Sequence, residues 1–119
     1  MKILIVEDET LIWMYLETLV IEFGHDVCAV ATTARAAISQ ASLQLPDLIL
    51  MDIRLAEGSS GIDAAREIHI RHGIRCIFLS GNLDEATRDA VRPYDPIAFL
   101  GKPVLPIRLQ QALEQAQIG

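Results

Sequence analysis

Four places in this chain carry side chains able to do chemistry, and each follows directly on a short apolar run. Glu7, Asp8 and Glu9 come after Ile3–Val6, and Asp52 after Leu48–Met51. Ser80, with Gly81 and Asn82 behind it, comes after Cys76–Leu79, and Lys102, between Gly101 and Pro103, after the run Ile97–Leu100. Carboxylates brought together in reduced dielectric disfavour one another's ionisation, so Asp52 placed beside Glu7 and Asp8 would take up a proton or recruit a cation. An all-oxygen set with room for water suits Mg²⁺ (or Mn²⁺), which commonly completes its shell with phosphate oxygens. Lys102 offers a compact positive charge to one phosphate oxygen, and Ser80 offers a hydroxyl to another. The combination points to phosphoryl transfer, a reaction governed by positioning and electrostatics, with Asp52 as the carboxylate nucleophile.

For these residues to meet, the runs that precede them must lie side by side. Each run, together with a further one at Val27–Ala31, is four or five residues long and apolar throughout, as strands covered on both faces of a parallel sheet are. Helical spacing fills the intervals. Leu11–Phe23 sets Ile12, Leu16, Leu19, Val20 and Phe23 on one face, with Thr10 as its capping candidate and Gly24 as its stop. Ala34–Leu43 follows Thr33 as cap, turns Ala34, Ala37, Ile38 and Ala41 inward, and is cut short by Pro46. Gly61–Arg71 carries Ile62, Ala65 and Ile68 and ends near Gly73; Asp84–Val91 is short and ends before Pro93; Leu105–Ile118 faces Leu109, Ala112, Leu113 and Ala116 inward. Five strands alternating with five helices make an α/β fold, a doubly wound parallel sheet covered on both faces. In such sheets ligands bind beyond the carboxyl ends of the strands, where the four chemical places fall.

The 119 residues are read as one domain, 1–119, with nothing left after the last helix for a second. A composition that is 51% apolar and only 5% aromatic calls for an aliphatic core and speaks against disorder. A net charge of −6 speaks against direct nucleic-acid binding. No apolar stretch reaches the ~18 residues of a membrane span, and the start turns acidic at Glu7, too soon for a secretory signal, so a cytoplasmic location is expected. Cys28 and Cys76 lack metal-ligand spacing and read as reduced small hydrophobes. Glu9 reads as an acid at the positive end of the first helix dipole. Trp13 and Tyr15 lie off that helix's apolar stripe and read as partly exposed packing; His25, His69 and His72 read as surface residues. Arg88 and Arg92, with Arg108 on the last helix, read as a solvated face, the other reading being ion pairs across a dimer or partner surface.

The segments Ile5-Val6-Glu7-Asp8-Glu9, Leu50-Met51-Asp52, Leu79-Ser80-Gly81 and Phe99-Leu100-Gly101-Lys102-Pro103 together resemble the receiver domain of bacterial two-component response regulators, over essentially the whole chain. The resemblance implies a flavodoxin-like (βα)5 fold with sheet order 2-1-3-4-5. It makes Asp52 the phosphoacceptor and Lys102 the phosphate-pairing lysine, and implies a cis peptide before Pro103. Glu7, Asp8, Asp52 and the backbone carbonyl of Arg54 become the Mg²⁺ ligands, and Ser80 and Phe99 the switch hydroxyl and the aromatic switch position. The implied donor is a sensor histidine kinase or histidine phosphotransfer protein. The implied readout is a separate downstream protein, or a homodimer formed on phosphorylation, that senses the surface of the fourth helix, fifth strand and fifth helix. Such a domain is not an enzyme toward external substrates and catalyses only its own phosphorylation and dephosphorylation; a phosphate sink or a non-phosphorylated binding module is the alternative.

Some positions depart from the family pattern. Ala56 stands where many members have proline, and the loop Ile53–Gly61 is one residue longer than is common, which bears on the metal-binding loop and the kinase-facing surface. Phe99 replaces the frequent tyrosine, so an aromatic switch here works by packing. The stretch Cys76–Asn82 is similar to a variant among alphaproteobacterial single-domain regulators linked to stress or light signalling. Two rival classes fit less well. A phosphatase with an aspartyl nucleophile would carry a second acid where Arg54 stands, and a flavin carrier would not present the acidic, glycine-free loop Glu7–Thr10 to a phosphate.

Overall fold

The computed structural model describes residues 1–118. Five strands, β1 (Lys2–Val6), β2 (Asp26–Ala31), β3 (Leu48–Asp52), β4 (Arg75–Ser80) and β5 (Ala98–Gly101), form one parallel sheet in the order β2-β1-β3-β4-β5. Five helices alternate with them: α1 (Thr10–Glu22), α2 (Ala34–Gln44), α3 (Gly61–His72), α4 (Glu85–Val91) and α5 (Pro106–Ile118). The doubly wound expectation and the strand order both hold, and the peptide before Pro103 is cis.

Alternation along the central strands divides the core in two. Ile3, Ile5, Leu48, Leu50, Ile77 and Leu79 point to one face, where α1 contributes Leu16, Leu19 and Val20 and α5 contributes Leu109, Ala112 and Leu113. Leu4, Val6, Ile49, Met51, Cys76 and Phe78 point to the other, where α2 and α3 supply mainly alanines, Ala37, Ala41, Ala64 and Ala65, with Ile68. Small residues let those two helices lie close to the sheet, while β1 and β3, apolar on both faces, are held at its centre. Each fully buried Ile or Leu stabilises the fold by about 1.5–3 kcal/mol before the cost of ordering it. The strand ends beneath the chemical residues are therefore anchored in the buried core.

Several local expectations are corrected. Thr10 is the first residue of α1 rather than its cap; Glu9 takes the capping position in an extended conformation, with no side-chain capping bond. The run Val27–Val30 is only half-buried because β2 lies at the sheet edge, and β5 starts at Ala98, one residue later than the apolar run. α2 ends at Gln44, where Leu45 turns left-handed at φ +47° ahead of Pro46. Thr33 caps α2 as expected, accepting from the Ala36 amide, and Gly73 at φ +69° terminates α3. Trp13 packs against the first core cluster, and the half-exposed Tyr15 donates its hydroxyl to the Val104 carbonyl at 2.9 Å. Cys28 and Cys76 are both free thiols, and complete burial pushes Cys76 up to about 12.

His25 is the one histidine that departs plainly from the surface reading. It is buried, and its Nδ1 lies 2.8 Å from the amino-terminal ammonium of Met1. Burial, then the adjacent ammonium, lowers its pKa against the opposing pull of Asp26. A depressed histidine pKa contributes stability that is present above the unfolded value and lost as pH falls through the folded one. The stability difference between wild type and His25→Gln in urea melts is therefore expected to shift against the wild type as pH drops below about 6.5; a difference that does not change with pH would contradict this account.

Candidate functional site

The site is built where four strands end. Glu7 follows β1 directly, and its backbone amide donates to the Ala31 carbonyl at 2.9 Å, which fixes the first residue beyond the strand. Asp52 is the last residue of β3, and its side chain is 6% exposed. Lys102 follows β5, positioned by its amide bond to the Ser80 carbonyl at 2.9 Å. Its ammonium bridges two carboxylates, lying 2.9 Å from Glu7 Oε2 and 3.0 Å from Asp52 Oδ2. Asp8 completes the cluster: one oxygen from each of Glu7, Asp8 and Asp52 lies within 4.8 Å of the others.

Electrostatics explain the arrangement. Glu7 is entirely buried, and that burial raises its pKa from the usual carboxylate range to about 7, with Lys102 pulling it down and neighbouring Asp52 pushing it further up. Burial also works against the charge on Lys102, yet the two carboxylates outweigh it and the lysine is held above its ordinary value. Lys102 is thus the counter-charge that lets acids sit at the end of an apolar sheet. The three acids offer oxygen alone, a hard donor set that fits Mg²⁺ or Mn²⁺ and poorly suits softer ions. Arg54 adds to that fit. Among the described residues its backbone carbonyl accepts no hydrogen bond, while its amide lies 3.4 Å from Asp52 Oδ1.

A cleft of about 490 Å³ opens over the cluster, lined by Asp8, Asp52, Arg54, Ser80, Thr87 and Lys102 among others. Ser80 reaches the cleft but its hydroxyl is turned into its own loop, donating to the Asn82 carbonyl at 3.1 Å and accepting from the Asn82 amide at 3.0 Å. Phe99 stands outside the cleft, half-buried, its ring stacked on Phe78 at 5.8 Å. The residues read from the sequence thus divide into an assembled cluster of Glu7, Asp8, Asp52 and Lys102, a loop residue in reach, Ser80, and one packed behind, Phe99.

Two groups were not legible beforehand. Thr87 and Asp84 line the cleft because Asp84 caps α4, accepting from the Thr87 amide at 2.8 Å; the cap signal was there, its closeness to the site was not. Gly61 matters more. It opens α3 directly against Asp52, and a Cβ there would lie 1.9 Å from the Asp52 carbonyl oxygen. A glycine in the first turn of a helix already capped by Ser60, at no left-handed φ, is the signature of close backbone approach.

Comparison with known proteins agrees with this geometry. The family described as the response regulator receiver domain matches residues 3–114. The chain is 40% identical over 116 residues to the phyllosphere-induced regulator PhyR of Methylorubrum extorquens, covering 97% of this chain and 43% of that protein. Among solved structures, the signal receiver domain of a modulated diguanylate cyclase from Desulfovibrio desulfuricans superposes with TM-score 0.87 at 29% identity, covering 97% of this chain and 91% of that one. The anti-anti-sigma factor PhyR from Bartonella quintana does so with TM-score 0.81 at 32% identity, covering 98% of this chain and 47% of that one. The chain spans about half the length of the curated relatives it matches. Those relatives are named as regulators, and no helix among the described residues is long and apolar enough to cross a membrane. A two-faced parallel sheet in the order β2-β1-β3-β4-β5, acids at the ends of β1 and β3, a lysine after β5 and a family match along nearly the whole length lead to one assignment: the chain belongs to the receiver domains of two-component response regulators.

Proposed function

We propose that this receiver accepts a phosphoryl group on Asp52 from a sensor histidine kinase or histidine phosphotransfer protein and passes the signal on by changing the α4–β5–α5 surface. The supporting observation is the Asp52 carboxylate itself, buried at a strand end, 3.0 Å from the Lys102 ammonium and grouped with Glu7 and Asp8. An Asp52 oxygen attacks the phosphorus of a phosphohistidine; the P–O bond forms as the P–N bond breaks, and the departing imidazole nitrogen keeps the electron pair and takes a proton. Glu7, Asp8, Asp52 and the Arg54 carbonyl would hold Mg²⁺, which when bound would neutralise charge on the phosphoryl oxygens. Lys102 leaves its bridge between the carboxylates to pair with one of those oxygens, and Ser80 exchanges its bond to the Asn82 carbonyl for another.

The proposed output of this receiver is a protein–protein contact at the α4–β5–α5 surface, with a partner or in a homodimer. Similarity to a protein named as an anti-anti-sigma factor supports a partner in transcriptional control. The acidic chain has no feature that favours direct nucleic-acid binding.

The test is chemical. Incubation with Mg²⁺ and acetyl phosphate should add the mass of one phosphoryl group, and peptide mapping after borohydride reduction should place it on Asp52. An adduct on another residue, or labelling indifferent to chelation of the metal, would overturn the reading.

A further inference from the structure

We propose that Arg88 is a positioning residue for the switch: its guanidinium clamps Phe99 onto Phe78 and ties that stack to the Ser80 loop, so that the clamp opens when Asp52 is occupied. The inference deepens the phosphoacceptor reading and rests on it. The Arg88 guanidinium carbon lies 4.9 Å from the centre of the Phe99 ring, within range of a cation–π contact. Phe99 stacks in turn on Phe78, 5.8 Å away with the rings 21° from parallel, and Phe78 is a fully buried member of the core. The three groups form one column from solvent to sheet.

No acidic side chain among the described residues draws Arg88 away from the ring. Among the described residues no carboxylate lies within ion-pair distance of it, whereas Arg92, one turn along, is engaged by Asp89 at 2.7 Å. Its Nε instead donates to the Leu83 carbonyl at 3.4 Å. Leu83 belongs to a run of bonds that starts in the cleft. Ser80 is held by the Asn82 backbone, the Asn82 side-chain Nδ2 donates to Asp84 Oδ2 at 3.4 Å, and Asp84 caps the turn that carries Arg88. Ser80 has one hydroxyl proton, so it can donate to a phosphoryl oxygen only by giving up its bond to the Asn82 carbonyl. That frees the segment holding the Leu83 carbonyl, and Arg88 loses the anchor that keeps it over Phe99. The clamp therefore favours the resting arrangement, and weakening it should shift the population toward the occupied one.

The experiment is a titration of the full chain with beryllofluoride and Mg²⁺, followed by amide NMR. Arg88→Met should raise the apparent affinity about two- to fivefold, the size of an exposed cation–π contact. Arg92→Met, which removes the same charge one turn away, should leave it unchanged. In a Phe99→Leu background the gain from Arg88→Met should vanish. Equal affinities for wild type and Arg88→Met, an equal gain from Arg92→Met, or a gain undiminished by Phe99→Leu would overturn the clamp alone. A wild-type protein with no shifts around Asp52 would overturn the phosphoacceptor reading and the clamp with it.

Discussion

Gly61→Ala is expected to destabilise the protein by roughly 3 kcal/mol, the upper part of the range for overpacking, and to slow acetyl phosphate labelling of Asp52 beyond what that loss explains. The added Cβ would lie 1.9 Å from the Asp52 carbonyl oxygen and 2.9 Å from its carbon, both of them backbone atoms. No rotamer change relieves such a contact, so α3 must retreat or the end of β3 must move. Retreat would strain the hydrogen bond that the Gly61 N–H donates to the Ile53 carbonyl, 2.8 Å long, which closes the loop beneath Arg54. Movement of β3 displaces Asp52, the proposed nucleophile, and a shift of an ångström is enough to lose much of the rate of a positioned reaction. Gly58 is the control. Alanine there meets nothing within 4 Å but must hold φ +70°, so it should cost about 1–2 kcal/mol and leave labelling of the folded protein unchanged. Urea unfolding and labelling at a temperature where both variants are folded would decide it, and native-like labelling in Gly61→Ala would show that the strand end tolerates the shift.

That glycine also shows where reading a sequence stops. The strands at the centre of the sheet were legible because Ile3–Val6 and Leu48–Met51 are apolar in both alternations, which only burial on two faces explains. Their order was not in the periodicity; it came with the resemblance carried by the residues at the strand ends. The cluster of Glu7, Asp8, Asp52 and Lys102 was legible because each sits one step past an apolar run, and topology brings such positions to one edge.

What escaped depends on distances between elements. Nothing in a helical pattern reveals that Gly61 touches the Asp52 carbonyl, or that Arg88 on α4 covers a ring on β5. His25 sits beside a helix-ending glycine, as many exposed residues do, and is buried only because the first residue of β1's approach folds back onto it. Thr10 outranks Glu9 as a cap by propensity, yet the geometry of the acidic turn after β1 starts the helix one residue earlier. Local preference loses there because Glu7 is already fixed by its bond to Ala31.

The same turn underlies the second large effect, which concerns the competition between lysine and metal. Lys102→Met is expected to make the protein less stable without divalent cation and more responsive to it. In the metal-free protein the ammonium is the nearest positive charge to two buried acids, at 2.9 Å from Glu7 and 3.0 Å from Asp52. Removing one partner of a buried pair commonly costs about 3–5 kcal/mol. Since the Lys102 side chain is 22% exposed, solvent screening reduces the loss to about 1–3 kcal/mol. Mg²⁺ replaces the missing charge and by mass action should restore much of that stability. It should also bind about tenfold more tightly, because it no longer has to displace an ammonium from the same oxygens. The variant should nonetheless label with acetyl phosphate about a hundredfold more slowly, having lost the donor proposed to pair with the transferring group. Thermal melts with and without Mg²⁺, alongside labelling rates, separate the two roles of the residue. Weaker Mg²⁺ binding in the variant would mean that Lys102 orders the carboxylates for the cation rather than standing in for it.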